Sequence, residues 1–304
     1  MNSFVRRLKL PFHYGKLLLL ILQCKLLLLA ALAANRFRVK TILTLPHKPY
    51  PHEAFYKFCH RLGYTFTQDA HRHADLIIRW QDSIIQMECE ILNKLARGQR
   101  VINYQLADFS KRHIAEVFQQ VFGYSLQINP REYHGPIVRK SNSNGPHDGT
   151  IFRGPIAEDK PEFAYQKLVN NVVAGYLQDI RVPIFGDIIP YCFVKRIPIE
   201  HRFNNKKGTG VIREVNEVLA QEEIAAIKRF CRAVGLDYGE LDVLRDSDEE
   251  RLYIVDVNNT PYGPIDGNIQ VPWYFTRISW NALGRMCEAF RVAFTTDRPG
   301  DPVD

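Results

Sequence analysis

The 304 residues are 46% hydrophobic, 24% charged and 12% aromatic, which excludes a collagenous, coiled-coil or largely disordered chain and leaves ample material for a buried core. The net charge of +7 is concentrated at one end: residues 1–40 hold eight bases (Arg6, Arg7, Lys9, Lys16, Lys25, Arg36, Arg38, Lys40) and no acid, and the rest carries 32 bases against 33 acids. A body so nearly neutral has no electrostatic grip on nucleic acid, and six scattered cysteines without a C-x-x-C pair exclude a disulfide framework or structural zinc and indicate a reducing compartment.

Residues 1–36 read as a basic, leucine-rich leader helix. Its apolar run, residues 17–34, holds ten leucines and Ile21, interrupted by Gln23 and Lys25. At about −0.5 kcal/mol per Leu and about +3 for a central Lys, insertion across a bilayer is favourable but not compelled. Four bases precede the run and three follow it, so charge sets no orientation. A spanning helix, a signal peptide with an Ala31-x-Ala33 site, a helix lying on an anionic membrane surface and a helix packed on its own domain all remain open.

From residue 41 the pattern changes. Strands at 41–45, 75–80 and 100–104 alternate with helices at 53–62 and 83–96, predicting an α/β unit with parallel strands. His71 and His73 lack a third ligand and read as loop surface. A helix over 110–122 starts at an Asp108 or Ser110 cap and stops at Gly123. The strand at 136–141 runs through Lys140 into a polar loop over 141–149, where free backbone N–H groups, an ammonium and His147 suit a phosphate. A strand follows at 163–169, then a hairpin, 181–185 to 188–196, turning at Gly186 and Asp187. An amphipathic helix spans 221–234 and stops at Gly235.

The second hairpin, 238–264, is the most specific feature. Side-chain alternation puts Glu240 and Asp242 on one face of its first strand, and Ile254, Asp256 and Asn258 on one face of its second. Pairing across the acidic turn is expected to set Asp242 beside Ile254 and diagonal to Asp256. Two carboxylates and an amide brought together in an apolar hairpin repel unless a hard cation such as Mg²⁺ lies between them; a solvent-facing edge strand is the alternative. No Ser-His-Asp or Cys-His arrangement emerges, and His113, His134 and His201 read as surface or substrate-contact residues.

The order of these motifs resembles the ATP-grasp superfamily, and is most similar to the ribosomal-protein glutamate ligase and its relatives. Asp179-Ile180-Arg181, Arg202-Phe203-Asn204-Asn205, Gly208-Thr209-Gly210, Gly239-Glu240-Leu241-Asp242 and Asp256-Val257-Asn258 follow in that family's sequence. The resemblance implies an α/β chain, α+β in its ATP-clamping part, with a pre-ATP-grasp domain over 37–107 and ATP-grasp subdomains over 108–170 and 171–304. It implies Lys111 and Lys140 on nucleotide phosphates, Gln166, Lys167, Leu168 and Val169 as the hinge at the adenine, and Asp179 on the ribose. Arg196 or Lys195 would meet the γ-phosphate, and Arg202 and Asn204 the substrate. Asp242, Asp256 and Asn258 would hold Mg²⁺, or Mn²⁺ in its place; the family has Glu where this chain has Asp256. The implied activity is an ATP-dependent ligase joining a small anionic carboxylate to an amine or thiol; a phosphotransferase and a non-catalytic nucleotide-binding protein are the alternatives. An enzyme using ATP is expected in the cytoplasm, with the leader on the inner face of the membrane.

Overall fold

The computed structural model describes residues 3–142, 149–157, 159–202, 208–263 and 277–295. Helix α1 (Ser3–Ala34) precedes a four-stranded, all-parallel sheet built from β1 (Lys40–Pro46), β2 (Tyr64–Thr67), β3 (Leu76–Trp80) and β4 (Val101–Ile102), in the order β2-β1-β3-β4. Helix α2 (Ala54–Arg61) connects β1 to β2, and α3 (Glu90–Leu95) connects β3 to β4. The helix expected over 83–96 is confined to these last residues. Gln86 N–H donates to Ala107 O and Phe109 N–H to Ile84 O, so residues 84–86 are extended against 107–109 instead of coiling.

Helix α4 (Lys111–Phe122) begins at Ser110, whose Oγ accepts from His113 N, and ends at Gly123 with φ +79°, a left-handed turn that favours glycine. A three-stranded antiparallel sheet follows, β5 (Pro136–Ser141), β6 (Thr150–Arg153) and β7 (Phe163–Lys167), in the order β6-β5-β7. The largest sheet joins β8 (Val172–Val173), β9 (Tyr176–Phe185), β10 (Cys192–Pro198), β11 (Thr209–Arg213), β12 (Tyr238–Arg245) and β13 (Leu252–Asn258). Its order is β11-β10-β9-β12-β13, with β8 paired to β9. Short α5 (Val215–Val218), α6 (Gln221–Val234) and α7 (Arg277–Phe294) complete the chain.

The large sheet is apolar on both faces, for different reasons. Ile180, Val182, Ile184, Leu241, Val243 and Val257 pack beneath α4 and α6. At one end of the other face, Phe185, Phe193 and Tyr238 join Phe55, Phe58, Trp80 and Phe290, welding the parallel unit and α7 onto the sheet. Asn103 completes that weld. Its backbone stands at φ +59°, which Asn tolerates, its Nδ2 donates to Tyr238 O and its Oδ1 accepts from Asp237 N and Tyr238 N. The remainder of that second face is left for charged side chains.

Candidate active site

The charged cluster follows from strand alternation. On β9, Asp179 and Arg181 point to one face; β10 sets Lys195 opposite Asp179, and β12 sets Asp242 opposite Arg181. A bulge after Asp242 then changes the second hairpin. Asp242 pairs with Asp256 directly and Val243 with Ile254, so Ile254 turns into the core while Asp256 and Asn258 share a face with Asp242 and Glu240. The expected diagonal arrangement, with Asp242 beside Ile254, is therefore corrected: the extra residue at the bulge shifts the register by one.

Arg181 ties the carboxylates down. Its Nη1 donates to Glu240 Oε1 at 3.0 Å and its Nε lies 3.5 Å from Asp242 Oδ1. These partners hold the guanidinium firmly charged, while burial lifts Glu240 to about 7 despite Arg181. Asp179 accepts from Asn171 Nδ2 at 3.0 Å, and Arg202 Nη1 donates to Asn171 Oδ1 at 3.3 Å. Burial, reinforced by Asp242, raises the Asp179 carboxyl; Lys195, Arg181 and Arg202 oppose that rise. From the small sheet and α4, Lys140 and Lys111 face Asp256. Burial pulls the Lys140 ammonium down, while the charges of Asp256, Asp242 and Asp179 pull it back up. Burial and the neighbouring Asp242 raise Asp256, and Lys111 and Lys140 counter them. Three lysines, from α4, β5 and β10, thus meet three aspartates from β9, β12 and β13.

Glycine makes this meeting possible. A Cβ on Gly208 would stand 2.5 Å from Lys195 Cε, and one on Gly210 would strike the Phe193 ring, so β11 can lie beside β10 only without side chains there.

Other expected residues stand elsewhere. Arg196 is a correction: alternation turns it to the opposite face from Lys195, where it is exposed in a cleft of about 530 Å³ beside Gln178 and Arg213. In the expected hinge, the Lys167 side chain binds Glu249 Oε1 at 2.7 Å and Asp246 Oδ2 at 3.5 Å, over the Tyr253 ring. Gln166 is buried opposite Val138, Lys167 N–H donates to Leu126 O, Leu168 N–H donates to Pro136 O, and Val169 is buried under α4. Asn204 lies outside the described residues, as do Phe203, Asn205 and loop residues 143–148 with His147. Sequence reasoning passed over Asn171, which bridges Asp179 to Arg202, and Glu240 as the buried partner of Arg181. The alternation of Glu240 with Asp242 was the available signal; Asn171 offered none beyond being polar at the end of a strand.

The donor chemistry suits a hard cation. Asp242 and Asp256 oppose each other, and Asn258 Oδ1, which accepts from Thr260 N at 2.9 Å, retains a second lone pair. Among the described residues no group of three His, Cys, Asp or Glu side chains is placed to hold a metal, so an ion here would be held by two carboxylates and an amide oxygen.

No family model matches the sequence, and no curated protein does. Solved structures similar to the chain include the ATP-grasp ligase PsnB complexed with a minimal precursor, at 17% identity and TM-score 0.44, covering 67% of this chain and 68% of that one. A Chryseobacterium gregarium RiPP-associated ATP-grasp ligase, in complex with ADP and a leader and core peptide, is similar at 13% identity and TM-score 0.47, over 87% of this chain and 100% of that one. D-alanine–D-alanine ligase from Bacillus anthracis, complexed with ATP, is similar at 12% identity and TM-score 0.47, over 85% and 97%. With these TM-scores below 0.5, the functional reading rests on the site's own residues.

Proposed function

We propose that this protein is an ATP-dependent ligase of the ATP-grasp kind, which activates a small anionic carboxylate as its acyl phosphate and joins it to an amine or thiol. The observation that carries this reading is the convergence of Lys111, Lys140 and Lys195 on Asp179, Asp242 and Asp256 across two antiparallel sheets. Three ammonium groups around one cleft suit a polyphosphate, and buried acids beside them suit its counter-ion. The motif order shared with the ribosomal-protein glutamate ligase supports the same reading.

In this reading Lys111 and Lys140 neutralise the phosphate oxygens, and Lys195 holds the γ-phosphate where Asp179 fixes the ammonium. Arg202, oriented through Asn171, binds the acid's carboxylate, a role the motif order gives to Asn204 as well. The acid's oxygen attacks the γ-phosphorus, ADP leaves, and an amine or thiol then displaces phosphate from the acyl carbon. No side-chain nucleophile is needed. Mg²⁺ on Asp242, Asp256 and Asn258 would supply further charge neutralisation at the phosphates.

The test incubates the full chain with MgATP and pooled carboxylates and amines, with mass spectrometry of the products. Amide or thioester formed together with ADP and phosphate is the expected result. A phosphorylated hydroxyl compound as the stable product would make the protein a kinase, and no ATP-dependent product would refute both.

The leader belongs to this reading as a surface anchor on the cytoplasmic side of an anionic membrane. Residues Leu17–Ala34 are long and apolar enough to cross a bilayer, but Cys24 and Leu28 are buried against the protein's own core. A helix docked along one side on a water-soluble body is poorly placed to span. Its other side presents Leu18, Leu22, Leu26 and Leu29, all more than half exposed, with Lys25 alongside. That stripe suits lipid, and the neighbouring bases suit anionic headgroups. Because Cys24 and Leu28 are buried, a test of the anchor leaves the helix in place. Replacing Leu18, Leu22, Leu26 and Leu29 by Ser is such a variant. Wild-type protein should sediment with phosphatidylserine vesicles at low salt and the variant should not; equal sedimentation of both would refute the anchor.

A further inference from the structure

The parallel sheet holds a second polar locality that the nucleotide cluster does not use. In the order β2-β1-β3-β4 the chain leaves β1 in one direction and later returns to extend the sheet in the other, so the carboxyl ends of β1 and β3 flank a crevice of the kind where open α/β sheets take ligands. The segment directly after β13 closes it: Pro261 O accepts from Ala54 N at 2.9 Å, Tyr262 O accepts from Lys57 Nζ at 3.2 Å, and Asn259 Nδ2 donates to Gln81 O at 3.0 Å. The crevice therefore begins where the strand bearing Asp256 and Asn258 ends.

Its lining is rich in acceptors. Glu53 is 4% exposed, and its carboxylate accepts from Tyr50 N and the Trp80 side chain. Among the described residues Gln81, 1% exposed at the end of β3, has neither its side-chain nitrogen nor its oxygen hydrogen-bonded, and Asn259 Oδ1, also buried, has no partner. Such groups cost free energy unless something polar meets them. Exposed Asp82 stands at the mouth with the His52 and Tyr262 rings, 4.8 Å apart. Two carboxyl groups and two amide oxygens, beside the Gln81 amide nitrogen and the buried Lys57 ammonium, favour a guest that donates hydrogen bonds.

We infer that this crevice receives the primary amine that accepts the acyl group, with Glu53 as the group that takes its proton; the inference rests on the ligase reading above. The ammonium gives one proton to the Glu53 carboxylate, and its freed electron pair forms the C–N bond at the acyl carbon. The C–O bond to phosphate breaks, and phosphate leaves with that pair of electrons and the second amine proton. The surroundings favour such a proton acceptor, since burial lifts Glu53 to about 7, Asp82 adds to the rise, and Tyr50 N–H, Trp80 and Lys57 restrain it. A carboxyl group balanced near neutrality can both accept and release a proton at working pH.

The test uses full-length protein with MgATP and the common amino acids as a pool of acids and amines, and in parallel with a pool of amine-free carboxylates and hydroxylamine as the only amine. Hydroxylamine is unprotonated at neutral pH, so it traps an acyl phosphate without needing a base. Wild type should give both amides and hydroxamates. Glu53→Gln, which keeps an oxygen for Tyr50 N, should lower amide formation about 100-fold and leave hydroxamate formation unchanged. Gln81→Leu should raise the KM for amine with kcat little changed. Melting curves keep a folding defect apart from a catalytic one. An acid whose pKa is raised in the folded state loses the protein stability as pH climbs from its ordinary value towards 7, so Glu53→Gln should melt at or above wild type at pH 8. Unchanged amide formation in Glu53→Gln, or equal loss of amide and hydroxamate, would overturn the inference alone. Absence of both products from wild type would instead remove the ligase reading beneath it.

Discussion

Asp242→Asn and Asp256→Asn are each expected to lower Mg²⁺-dependent ATP turnover by about 100- to 1000-fold, the scale for removing one charged group from a preorganised electrostatic site. The two carboxylates oppose each other at the bulge, and each replacement removes half of the charge that would hold the ion. Folding should largely survive, because an amide at either position relieves the repulsion between Asp242 and Asp256 and so offsets part of the attraction lost to Arg181, Lys111 and Lys140. Turnover measured beside a thermal melt checks both statements. Either variant turning over ATP at the wild-type rate would detach the pair from the chemistry.

Arg181→Met should destabilise the fold by about 3–5 kcal/mol, the scale for breaking a buried ion pair from one side. Arg181 reaches both Glu240, which is 2% exposed, and Asp242. Without it two adjacent acids remain on β12 with no guanidinium between that strand and β9. The deficit should shrink as pH falls below about 7, since Glu240 then takes a proton in wild type and variant alike and the ion pair no longer separates them. Urea denaturation across that range is the measurement. A double variant, Arg181→Met with Glu240→Leu, should recover much of the loss, because an apolar pair of similar volume needs no counter-charge. A pH-independent loss below about 1 kcal/mol would show the pair to be incidental.

Much of this was settled along the chain itself. The two-residue period of strands put Asp179 and Arg181 on one face of β9, and Glu240 and Asp242 on one face of β12, whatever the neighbours were. Ser110 and Gly123 bounded α4 by local hydrogen bonding and a left-handed backbone, so those boundaries were readable too. The glycines of β11 could be seen as a motif, but their reason, Lys195 and Phe193 across the ladder, could not.

What tertiary structure decided depends on residues distant in sequence. The bulge after Asp242 arises from pairing between two strands, and alternation along either strand gives no sign of it, yet it selects Asp256 over Ile254 as the partner of Asp242. Lys167, expected at the hinge, has its ammonium captured by the turn of the second hairpin through Glu249 and Asp246, two partners more than 75 residues away in sequence. The crevice of Glu53, Gln81 and Asn259 exists because β1 and β3 pair in parallel and the chain returns past them more than 170 residues after Gln81. Local periodicity sets which way a side chain points, since that follows from backbone geometry within a few residues; which side chains meet is set by long-range pairing and core packing, whose free energy belongs to no single segment.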